Sequence, residues 1–220
     1  YAASKAGERI INMLIKKIIS ICKESKTLIS MITKSGKLMW IGNEYAAYPA
    51  YSVPVMNPEE ILQMHDIPED KSLSYSLREE SLPFSPEPSG EAYVLEAMPV
   101  RIEVLGVSYQ PFILPLTNRI YYIDTAYFAP FADCTTEKQY FLGHNIVTRN
   151  PVIMVFAGLT PLAGISPAEL SWEQVYQSCT LLMADASNKL GKQNQRQEDD
   201  DSPQMTMEES TEDGVETVDE

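Results

Sequence analysis

Histidine is almost missing from this 220-residue chain, which has two, His65 and His144, neither with a second histidine or a cysteine one helical turn away. That scarcity removes the commonest metal ligand and the usual general base, so no catalytic residue, no metal site and no cofactor is expected. Cysteine is nearly as scarce. Cys22, Cys134 and Cys179 are odd in number, widely spaced and form no C-x-x-C, which speaks against a disulfide framework or a zinc knuckle and fits a reducing, cytoplasmic compartment. With 10 glycines in all, the chain has no phosphate-binding Gly-Lys-Ser/Thr loop and no Gly-x-Ser-x-Gly elbow. Long hydrophobic runs are absent too: INMLIKKIISIC (11–22) is split by Lys16 and Lys17 and is too short to span a bilayer, so no membrane partner is expected.

Basic residues are missing from one end and crowded at the other. Residues 197–220 hold eleven acids and no base, so that of the net charge of −14 only about −3 belongs to residues 1–196. Residues 1–37 carry eight lysines and arginines against Glu8 and Glu24, a local charge of about +6. Such asymmetry points to a polyanionic partner for the basic end and a solvated or regulatory role for the acidic one.

The stretch YAASK at the start sets Tyr1 four residues from Lys5 and resembles the Tyr-x-x-x-Lys pair of short-chain dehydrogenases, in which a lysine one turn away lowers the pKa of a catalytic phenol. The match is read as a coincidence of composition, because the family's Gly-x-x-x-Gly-x-Gly nucleotide loop occurs nowhere in the chain. Carboxylate pairs such as Glu59-Glu60 and Glu79-Glu80 fall in expected exposed turns, and the chain is read as non-enzymatic. Tyrosines recur at Tyr45, Tyr48 and Tyr51 and again at Tyr121, Tyr122 and Tyr127; packing is the ordinary use of such residues, base stacking the special one.

Periodicity lays out the rest. Ile10, Ile11, Leu14, Ile15, Ile18, Ile19 and Cys22 recur at three and four, predicting a helix over 8–24 with a basic face of Arg9, Lys16 and Lys23. β-Branched and aromatic residues with Ser35-Gly36 and Gly42-Asn43 turn signals predict antiparallel strands over 27–48, and Asn57-Pro58-Glu59-Glu60 is a helix start. SLPFSPEPSG (81–90) reads as a loop or linker. Strands are expected at 100–104, 119–123, 138–142 and 150–158, with a short helical turn from Asp124 to Phe131. Ser166-Pro167-Ala168-Glu169 reads as a capping box opening a helix over 167–190, with Trp172, Val175, Cys179, Leu182, Met183, Ala186 and Leu190 along one side. Residues 191–220 have too little to bury and are expected to be a disordered acidic tail.

In order, these elements make a helix followed by antiparallel strands, twice. The layout, with SGKLMWIGNEYAAYP (35–49) running through a Gly-Asn turn into an edge strand, resembles the β-α-β-β-β repeat of sliding clamps, the processivity factors of DNA polymerases. The resemblance implies an α+β fold of antiparallel sheet and helices over 1–165, to which the capping box adds a C-terminal helix at 166–190 and composition the tail at 191–220. It also implies a DNA-associated accessory protein that meets double-stranded DNA through Arg9, Lys16, Lys17 and Lys23, holds a replication or repair partner and forms homo-oligomers. The alternative is a protein-interaction or assembly module with an acidic regulatory tail and no nucleic-acid binding. The direction of the basic stripe separates them: Arg9, Lys16 and Lys23 lining a concave surface favour DNA, whereas the same residues scattered among salt bridges favour a protein partner.

Overall fold

The computed structural model describes residues 15–36, 38–51, 53–65, 67, 74–87 and 93–200, with backbone alone over 190–200. The fold is α+β, as expected, and is built on a mostly antiparallel sheet of eleven strands. The chain divides into two compact units, residues 1–178 and 179–220.

The first unit opens with helix α1 (15–25), of the helix expected over 8–24; residues 8–14 lie outside the described residues. Three antiparallel strands follow as a meander: β1 (Thr27–Ile32), β2 (Met39–Gly42) and β3 (Ala46–Pro49). The Gly42-Asn43 signal makes the β2–β3 turn. Asn43 Oδ1 accepts from the backbone N–H of Tyr45 and of Ala46, both at 2.9 Å, so one buried side chain does the work of a backbone turn. Helix α2 (Pro58–Met64) starts at a complete capping box: Asn57 Oδ1 accepts from Glu60 N at 2.8 Å, and Glu60 Oε2 accepts from Asn57 N at 2.9 Å.

Four strands not foreseen from the sequence complete the sheet beside the expected ones. β4 (Ser76–Ser81) lies parallel to β1 at the sheet edge, and its charged Arg78, Glu79 and Glu80 suit an edge but hide the alternation of a strand. β5 (Tyr93–Ala97) pairs first with β9 and then with β7, joining the two groups of strands. β6 (Ile102–Val104), β7 (Val107–Leu114) and β8 (Arg119–Asp124) form the next meander, with β5 and β6 sharing one edge of β7. Gln110 Nε2 donates to Met98 O at 2.6 Å where the chain passes between those two short strands. β7 contains Pro111 and β11 (Thr160–Ile165) contains Pro161, which argues against a strand in sequence; a register shift at Val155/Phe156 accommodates the second.

After β8 a 3₁₀ helix (Thr125–Phe131), capped by Asp124 as expected, leads to β9 (Lys138–His144), β10 (Pro151–Ala157) and β11. The central strand order β1-β2-β3-β11-β10-β9 is therefore two meanders joined through the antiparallel β3–β11 pair, each preceded by a helical element. Apolar residues of both helical elements meet in one core: Ile15, Ile18 and Cys22 of α1 join Phe131, Tyr48, Ile41 and Val155. A second cluster holds Trp40, Phe84, Met154 and Phe156, with the Trp40 and Phe84 rings edge to face at 5.4 Å. Residues 82–87 form a loop, as expected, but one pinned by buried Leu82 and Phe84 and so not a free linker; residues 88–90 lie outside the described residues.

The last helix, α3 (Trp172–Asp200), starts and ends later than expected. Ser166–Leu170 is committed elsewhere, since Ser166 N donates to Tyr45 O and Ala168 N to Tyr122 O, both at 2.7 Å. The working capping box lies five residues on, where Ser171 N donates to Gln174 Oε1 at 2.8 Å and Gln174 N to Ser171 Oγ at 3.3 Å. Residues 191–200 continue the helix where disorder was expected, while 201–220 lie outside the described residues. The described part of the second unit, 179–200, is this helix alone.

Candidate functional site

Helix α1 sorts its residues by face as the periodicity predicts. Ile15, Ile18, Ile19, Ile21 and Cys22 are buried, whereas Lys16, Ser20 and Lys23 are exposed. Lys16 and Lys23 are seven residues apart and so drift only about 20° round the axis, which puts both charges on one open face. Lys17 points elsewhere and is engaged: its Nζ lies 2.6 Å from Asp133 Oδ2. Arg9 lies outside the described residues. Of the four expected DNA-contacting residues, two therefore share an exposed face and one is ion-paired.

The tyrosines mostly pack. Tyr48 is buried and donates its hydroxyl to Tyr127 O at 2.8 Å, and burial first, then the neighbouring Tyr127, Cys22 and Asp124, pushes its pKa well above the ordinary value. Tyr51 donates to Pro161 O at 2.8 Å, and burial raises its pKa to about 12. Tyr121 is buried beneath the Arg119 guanidinium, 5.2 Å from its ring centroid. Tyr45 is exposed at the β2–β3 turn, as are Tyr93 and Tyr176 elsewhere.

The free thiols divide by burial. Cys22 is enclosed, and desolvation raises its pKa to about 12, which suppresses the nucleophilic thiolate; Cys179 is exposed on α3. Among the described residues no three histidine, cysteine, aspartate or glutamate side chains come together in a way that could hold a metal ion, and no helix is long and apolar enough to cross a membrane.

The clearest departure from an ordinary surface is on α3. In the first unit Trp172 and Tyr176, one turn apart, are 75% and 60% exposed, their ring centroids 6.4 Å apart. In the second unit Leu181, Leu182 and Met183 are exposed together, Met183 by 72%. Sequence periodicity places Trp172, Leu182 and Met183 along one side of a helix, a pattern that ordinarily marks a buried face; their exposure is visible only in the fold. No protein-family model, curated protein or solved structure matches this chain.

Proposed function

We propose that this chain is a non-enzymatic protein-interaction module in which the α+β body is the scaffold and helix α3 makes the contact. The observation that carries this reading is the set of large apolar side chains left in water on α3. Burying one such side chain is worth about 1.5–3 kcal/mol, and groups of them left exposed together mark interaction surfaces more often than they mark waste. The ion pair of Lys17 with Asp133 points the same way, since it removes one charge from the set that would meet a polyanion.

A concentration series in sedimentation velocity, with a mobility assay on duplex DNA at low salt, tests the proposal. Trp40 is fully buried and Trp172 is not, so tryptophan emission reports on α3 as well. The expected result is reversible association that shifts Trp172 emission to the blue and is abolished by Leu182→Ser with Met183→Ser, with no retardation of DNA. A chain that stays monomeric while retarding DNA overturns it.

The second reading is a clamp-like, DNA-associated accessory protein. Lys16 and Lys23 on one open face favour it, because phosphates spaced along a duplex are met by just such a row. The paired arrangement of helical element and meander is consistent with it.

A further inference from the structure

A cavity of about 520 Å³ opens on the first unit at the place where five separate segments converge, Asn150 among them. Tyr109 and Asp124 stand opposite one another on β7 and β8, so their side chains leave the same face of that strand pair. Tyr127 follows on the 3₁₀ helix that Asp124 caps, Asp124 Oδ1 accepting from Ala126 N at 2.9 Å. Tyr45 comes from the β2–β3 turn, and the extended segment Ser166–Glu169 closes the remaining side, fastened by its hydrogen bonds to Tyr45 O and Tyr122 O.

The lining has one chemical character. Three tyrosines and three carboxylates, Glu44, Asp124 and Glu169, face the space, and no lysine, arginine or histidine does. Glu44 is ion-paired with Arg78, at 2.5 Å, which is shared with Glu80, whereas Asp124 and Glu169 have no ion-pair partner among the described residues. Burial, and then the charge of Asp124, raise the pKa of both Tyr109 and Tyr127, so these rings remain neutral phenols at physiological pH.

We propose that this cavity binds an organic ammonium group, supplied by a free amine or by a lysine side chain of a peptide. Ring faces attract a cation through their quadrupole, and the two carboxylates add charge-assisted hydrogen bonds where the ammonium carries N–H groups. An anion would meet negative charge and negative ring faces together. A purely apolar guest would leave Asp124 and Glu169 less hydrated with nothing in exchange. The volume falls within the range of pockets that enclose small ligands. This site goes beyond the α3 surface and stands or falls without it.

Nuclear magnetic resonance of ring-carbon-labelled tyrosine in the full chain tests the assignment, with Tyr45→Phe identifying one resonance. Tetramethylammonium chloride is titrated against sodium chloride at equal ionic strength. A lysine-containing tetrapeptide is titrated against its Nε-acetylated twin. Saturable shifts with tetramethylammonium, with the lysine peptide, or with both are the expected result, and which probe binds distinguishes a small free organic cation from a peptide side chain that also donates N–H hydrogen bonds. Asp124→Asn, which keeps an N-cap acceptor, should weaken binding about tenfold, and the exposed Glu169→Gln about fivefold. Tyr45→Leu should weaken it about fivefold while Tyr45→Phe, which keeps the ring, changes it less than about twofold. Shifts no larger than those from sodium, or affinity indifferent to Glu169→Gln and Tyr45→Leu, would overturn the proposal.

Discussion

Phe84 lies across Gly164: a Cβ at position 164 would come within 2.3 Å of Phe84 Cζ. The loop after β4 thus closes the second apolar cluster only because β11 has no side chain at that point, and the same ring meets Trp40 edge to face. Gly164→Ala is expected to destabilise the first unit by about 1–3 kcal/mol, the range for overpacking a core. In urea unfolding the double variant with Phe84→Ala should lose less than the sum of the two single changes, because the clash is then absent. Additive losses would mean that ring and backbone do not touch.

At the β6–β7 turn, Leu105 has φ 52° and Gly106 φ 79°, the paired positive angles of a tight hairpin turn, and the Leu105 side chain is 91% exposed. A leucine is strained there and rewards the strain with no packing, whereas asparagine adopts the left-handed region readily. Leu105→Asn should therefore raise stability by about 1 kcal/mol, a rise in Tm of about 2–4 °C for a unit of this size. A fall in Tm would show that Leu105 is buried against something in solution.

The thiols and phenols predict the alkaline limit. Cys22 is held neutral by burial up to about 12 against an ordinary 9.0, and Tyr51 and Tyr127 up to about 12 against 10.0. Since the unfolded chain releases these protons first, stability should be intact below about pH 9 and fall progressively towards pH 12. Cys22→Ala should make the early part of that fall shallower. In the native chain a thiol reagent should modify Cys179 quickly and Cys22 only on unfolding.

The lysines of α1 separate the two functional readings. If the helix meets phosphates, Lys16→Ala and Lys23→Ala should each flatten the dependence of log K on log salt by about 0.9, equally for any DNA sequence. Lys17→Ala should leave that slope nearly unchanged, because its charge is already paired with Asp133. The pair is open to water, so Asp133→Asn should alter stability by less than about 1 kcal/mol. A slope carried mainly by Lys17 would contradict the geometry of this face.

Local signals alone determined much of this protein. The buried face of α1, the helix start at Asn57, the Gly42-Asn43 turn and the strands at 119–123, 138–142 and 150–158 were legible because spacing and turn chemistry act within a few residues. What only the tertiary structure decided are matters of distant partners. Ser166 looks like an N-cap, but backbone hydrogen bonds to Tyr45 and Tyr122 hold the segment extended and pass the cap to Ser171. β4 and β7 carry residues that discourage a strand, and pairing with β1 and β8 overrides them. The convergence of Tyr45, Tyr109, Asp124, Tyr127 and Glu169 round one cavity spans 125 positions of sequence and has no local signature. Whether the apolar side of α3 is covered is likewise a property of the fold, since periodicity states which residues share a face and not what, if anything, packs upon it.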